Sequence, residues 1–99
     1  MTIGQDIANT IINLEHIRDA QNPPSQDVIH QIDDLYNLAV KYGASQIDQT
    51  TVQYTTTAQA LSTAAQATLN AINDLSQVSD AVGKVASAIK QLTGLIAAA

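Results

Sequence analysis

The sequence predicts an all-α protein, a small antiparallel helical bundle. Apolar residues recur at helical spacing through nearly the whole chain, from Ile3 to Ile96. The interruptions fall on helix-boundary residues, Asn22-Pro23-Pro24-Ser25 and Gly43-Ala44-Ser45. Aromatic residues are scarce, with three tyrosines and no Phe or Trp. A core made of Ile, Leu, Val and Ala suits closely approaching helices better than a sheet. The 99 residues make a single helical domain, 1–99, with an adequate core.

The first helix is predicted over 2–22. Thr2-Ile3-Gly4-Gln5 reads as a capping box, in which the Thr hydroxyl takes the amide three residues on and Gln5 reaches back. Ile3, Ile7, Ile11, Leu14 and Ile17 form the buried stripe, widened by Ala8 and Ile12, while Asp6, Asn9, Asn13, His16 and Asp19 form the opposite face. Asn22-Pro23-Pro24 ends the helix, because Pro23 biases Asn22 away from helical angles and neither proline has an N–H.

A second helix is predicted over 25–43, with Ser25 as N-cap and Asp27 favoured in its first turn by the helix dipole. It is expected to bury Val28, Ile29, Ile32, Leu35, Tyr36 and Ala39. Gly43 reads as a left-handed residue beyond its end, with Lys41 near the terminal carbonyls. Ser45-Gln46-Ile47-Asp48 then reads as a further start signal.

The third helix is predicted to be long, 46–97. Its opening, Thr50-Thr51-Val52-Gln53-Tyr54-Thr55-Thr56-Thr57, is β-branched enough to read as a strand. A lone strand has nothing to pair with, so helix is expected. From 58 to 98 the chain is alanine-rich with a heptad rhythm. With Leu61 at position a, the a and d positions collect a seam of Leu61, Ala64, Thr68, Ala71, Leu75, Val78, Val82, Val85, Ile89, Leu92 and Ile96. Ala60, Ala67, Ala81 and Ala88 at g, with Ala58, Ala65 and Ala86 at e, let other helices approach on both sides.

Length turns the seam into a burial problem. A helix over 46–97 spans ~75 Å, whereas each of the first two reaches ~30 Å. Three solutions exist. The long helix breaks near 79–83 and folds back as a fourth; the proline pair only kinks the chain; or the seam is buried against another copy or a partner helix. The unbroken heptad phase across Ser79 to Gly83 favours the last two. The functional expectation is therefore a non-enzymatic helical interaction or self-assembly module, homo-oligomeric or paired with a partner helix, with the seam as its interaction surface.

Other classes have weaker support. Two basic residues against seven acidic ones give residues 1–48 a net charge of −5, and two against two leave residues 49–99 neutral. An acidic front half argues against nucleic acid, whose phosphates need clustered Lys and Arg. No cysteine is present, which removes disulfides and thiolate metal sites. Asp27, His30 and Asp34 share one helical face and have the donor types for a divalent metal, but that face lies opposite Val28, Ile32 and Leu35. His16 lies between Glu15 and Asp19 on a similar outward face. Asp33 and Asp34 diverge by about 100° on a helix and cannot share a proton. No nucleophile elbow, phosphate loop or HExxH motif occurs, so neither an enzyme, a cofactor nor a resident metal is expected.

The alternative reading is a secreted or membrane-active helical protein acting through residues 81–96, which carry Lys84 and Lys90, no acid and a clean apolar face. The N-terminus lacks a basic region and an unbroken apolar run, and no stretch of about 18 apolar residues occurs. Cytoplasmic residence is the default expectation, with leaderless secretion left open.

Three resemblances bear on these expectations. In length, acidic charge and lack of cysteine the chain resembles hairpin proteins of the WXG type, although Val40-Lys41-Tyr42-Gly43 places its aromatic directly before the glycine. Leu75 to Ile96 is similar to chemoreceptor cytoplasmic helices in its heptads, and Thr57 to Ala71 is similar in composition to R-body-forming polymer subunits. No residue role is carried over from any of them.

Overall fold

The structure, a computed structural model, describes residues 2–99; Met1, the first residue of the expected 1–99 domain, lies outside it. Its elements are α1 (Ile3–Ala20), α2 (Gln26–Ala44), α3 (Val52–Asn73), a 3-10 turn (Leu75–Gln77) and α4 (Val78–Ala97). They form a small helical bundle with no strand among the described residues.

Local side-chain chemistry sets the helix ends. The Thr2 hydroxyl accepts from the Gln5 amide at 3.2 Å, the first half of the expected capping box; the return bond from the Gln5 side chain is not formed among the described residues. Thr51 does the same for α3, accepting from the Tyr54 amide at 3.1 Å. The threonine-rich stretch is thus divided, with Thr50 and Thr51 outside the helix and Thr55 to Thr57 within it. Ser25 occupies the N-cap position of α2 without a side-chain cap, and its own amide donates to the Gln21 side chain at 3.0 Å.

Gly43 corrects an expectation: no described glycine has positive φ, and α2 runs through it to Ala44. The turn comes at Ser45, whose hydroxyl donates to the Lys41 carbonyl at 2.7 Å. Residues 46–51 are therefore a connection, not the first turns of a helix.

The predicted 46–97 helix does not run unbroken. It stops at Asn73 and resumes at Val78, a few residues before the 79–83 break considered from sequence. Asp74 is extended, with φ −151° and ψ 98°. Its carboxylate accepts from the Ser76 amide at 3.1 Å, the Ser76 hydroxyl at 2.7 Å and the Gln77 side chain at 3.3 Å. These bonds offer the chain a local alternative to the helical ladder, and the hydroxyl and amide of Ser76 hold the carboxyl of Asp74 below the usual carboxylate range.

The heptad frame did not expose this reversal because the buried stripe changes phase across it. On α3 the buried residues Thr57, Leu61, Ala64, Thr68 and Ala71 occupy a and d, with Ala65 at e beside them. On α4 they are Val78, Ala81, Val85, Ala88, Leu92 and Leu95, at d and g. Alanines at g supply the second row, so one sequence satisfies two frames.

The proline segment reverses the chain, and two antiparallel hairpins result. In the first, Tyr36 on α2 meets Glu15 on α1; in the second, the Thr57 hydroxyl of α3 lies 3.4 Å from the Gln91 carbonyl of α4. Helix α1 packs on α2 and α3, and α4 packs on α3 and α2. The parallel neighbours α2 and α4 are joined by the Gln31 side chain, which donates to the Val82 carbonyl at 2.8 Å. The other parallel pair, α1 and α3, is joined by Asn13, which donates to the Ala65 carbonyl at 3.1 Å and the Thr68 hydroxyl at 3.2 Å. The 46–51 connection closes one end, where Ile47 and Leu95 line a shared cleft.

Candidate functional site

The seam residues occupy the inside of the bundle. Leu61, Ala64, Thr68, Ala71, Val78, Val85 and Leu92 are buried, and Val82, Ile89 and Ile96 are half-buried beside them. Leu75 alone among the seam residues is exposed, at 44 %, because it stands in the 3-10 turn. The burial that the sequence seeks from a partner is supplied by the chain's own helices.

The apolar surface left over lies elsewhere. Helices α1 and α2 carry wider apolar stripes than the core takes in. Ile12, expected to widen the buried stripe of α1, is 51 % exposed. Tyr36, expected to be buried on α2, is 50 % exposed, and Val40 beyond it is 75 % exposed. Ala8 is exposed, and Ala39 and Ile29 are half-buried.

All of these but Val40 and Ile29 line one groove. Gly4, Ile7, Ala8, Ile11, Ile12, Tyr36 and Ala39 line an apolar groove between α1 and α2. Val40 is outside this lining, but one turn beyond Tyr36 its i, i+4 spacing places it on the same side of α2. Gly4 and Ala8 keep the groove floor low, and a Cβ at Gly4 would meet nothing within 4 Å. Ile12 also borders a more polar groove between α1 and α3, lined by Asn9, Asn13, Ser62, Ala65, Gln66 and Leu69. The sequence signal for this face was the extra width of the two stripes.

Charge divides the face lengthwise. Ala8, Ile12, Glu15 and Asp19 follow one another at helical spacing along α1, as do Val40, Tyr36 and Asp33 along α2. Because the helices are antiparallel, the apolar ends lie together and the acidic ends lie together. The Tyr36 hydroxyl marks the boundary, 3.4 Å from the Glu15 carboxylate. Arg18, the cation in this region of α1, is paired with Asp19 at 3.1 Å.

The other sequence candidates are not assembled into sites. Asp27, His30 and Asp34 are exposed on α2, and no group of three His, Cys, Asp or Glu side chains comes together among the described residues. His16 is exposed. The apolar face of 81–96 is turned into the core through Ala81, Val85, Ala88, Leu92 and Leu95, and no described helix is long and apolar enough to cross a membrane.

Asp6 and Asn13 correct the expected polar face of α1. Asn13 is half-buried in its bonds to α3, and Asp6 is 2 % exposed with Oδ1 unpartnered. At the connection end, burial pushes the Tyr42 phenol up, and neighbouring Tyr54 adds to the shift.

No protein-family model matches the chain, and neither a curated protein nor a solved structure matches it.

Proposed function

We propose that the protein is a non-enzymatic helical interaction module whose docking surface is the outer face of the α1–α2 hairpin. The observation that carries this reading is the exposed apolar cluster of Ile12, Tyr36 and Val40 beside a groove floored by Gly4 and Ala8. Contiguous apolar residues bordered by polar ones mark interaction surfaces on soluble domains. A groove between two antiparallel helices accepts the apolar side of a third. Removing these side chains from water is the source of affinity, at ~1.5–3 kcal/mol for each one fully buried. The heptad seam has a different role: it holds the two hairpins together and fixes the groove's shape.

A photo-crosslinking amino acid placed at Val40, compared with one at Val52, tests the reading in the cell of origin. Val52 is a suitable control because it is also well exposed, on the first turn of α3. A discrete adduct with another protein from Val40, absent from Val52 and lost with Ile12→Asp, is expected. Equal adducts from both positions, or none from Val40, would overturn it.

A further inference from the structure

We infer that the occupant of this face is an amphipathic helix of about four turns, apolar at one end and carrying Lys or Arg at the other, contributed by a different protein. The inference rests on the docking reading above and adds the chemistry of the partner.

The length follows from the face itself. Gly4 to Asp19 is sixteen residues of α1, or ~22 Å from end to end, which a helix of about four turns matches. The chemistry follows from how the face is divided. Its upper half presents Ile12, Tyr36 and Val40 to solvent, and its lower half carries Glu15, Asp33 and the Arg18–Asp19 pair, a net negative set of charges. A wholly apolar helix would leave those carboxylates facing uncharged side chains in a partly dried interface, whereas a helix with basic residues at that end pairs with them.

A second copy is the poorer occupant. Full overlap of two such faces in the same direction sets acid against acid. A twofold arrangement joining the apolar halves leaves the acidic halves without partners. The module's net charge of −5 adds a general repulsion between copies.

Three synthetic helical peptides of equal length and equal leucine content, bearing Lys, Gln or Glu at the same polar positions toward one end, test the inference. Titration into the isotopically labelled full chain gives affinity and footprint together. The Lys peptide should bind about tenfold more tightly than the Gln peptide, and the Glu peptide more weakly than either. Added salt should narrow the difference. The shifts should centre on Ile12, Tyr36 and Val40, and Val40→Asp should abolish them. Glu15→Gln combined with Asp33→Asn, which leaves only the Arg18–Asp19 pair, should make the Lys and Gln peptides equal; Glu15 is half-buried and Asp33 and Val40 are exposed, so none of these positions belongs to the core.

Equal binding of the Lys and Gln peptides to the wild type, or Lys-peptide binding that survives Val40→Asp, overturns the inference. Concentration-dependent shifts at the same residues without peptide would show a second copy on the face. That outcome also overturns the inference while leaving the docking reading standing, and the crosslink at Val40 separates the two failures.

Discussion

Asp6 is the residue least at ease in this bundle. It lies in the first turn of α1, buried, with one carboxylate oxygen lacking any partner. A buried charge costs several kcal/mol unless donors surround it, and the dipole at a helix N-terminus returns only ~0.3–1 kcal/mol. Asp6→Asn, which removes the charge and keeps the size, is therefore expected to raise stability by about 1 kcal/mol, read as a higher urea midpoint with unchanged slope. A lower midpoint would mean that the carboxylate is supplied with donors in solution. Asn13 shows the opposite use of a polar residue on the same helix. Its two bonds to α3 give the parallel helices a fixed register that alanine and isoleucine surfaces alone would define loosely.

At the scale of elements, the turns are held by short acidic caps. Asp74 accepts three bonds from Ser76 and Gln77, and Asp48 accepts two from Thr50. These hydrogen bonds hold both carboxyls below the usual carboxylate range, since they favour the charged form. The sign follows from linkage: a carboxyl depressed in the folded state stabilises above its unfolded pKa, near 4, and that contribution is lost as pH falls through the lower folded value. Wild type should therefore be more stable than Asp74→Ala at neutral pH, with the gap closing in acid as the pH falls through the depressed folded value. A gap that persists in strong acid would show that the Asp74 charge does not hold the turn.

The same turn shows what was legible in the sequence. The helical class, the end of α1 near the prolines and the core stripe of α1 can be read from periodicity and boundary chemistry. The reversal at Asp74 is harder to read, because apolar residues at a, d and g satisfy both a continuous helix and a hairpin. Its only local sign is Asp74 followed three residues later by Gln77, a capping pattern inside an otherwise unbroken phase. Gly43 misled in the other direction: a glycine near a helix end need not be left-handed, and here Ser45 ends the helix one residue after Ala44.

The face proposed for docking was present in the sequence as surplus. Ile12 and Tyr36 sit on the borders of their stripes, and periodicity alone assigns border residues to the core. Only the arrangement of four helices shows how much apolar width the core accepts. On α1 the core takes Ile3, Ile7, Ile11, Leu14 and Ile17 and leaves Ile12 outside.

For the whole molecule, the decisive quantity is reach. Four helices of about 20 residues fit in a body of 40 × 20 × 17 Å, and folding back at Asp74 brings two halves of the seam together in the core. With the seam covered by its own chain, Ile12, Tyr36 and Val40 remain exposed on α1 and α2. The docking proposed for α1 and α2 depends on that closure within a single chain.

A distance between spin labels at Gln59 and Lys90 tests it most directly. Both positions are exposed, and they sit near the level where Thr57 meets Gln91 across the α3–α4 hairpin. With one doubly labelled chain diluted into unlabelled protein, the account predicts a single short distance that does not change with concentration. A distance of ~46 Å, that of a continuous helix over the same 31 residues, would contradict it and return the seam to the surface.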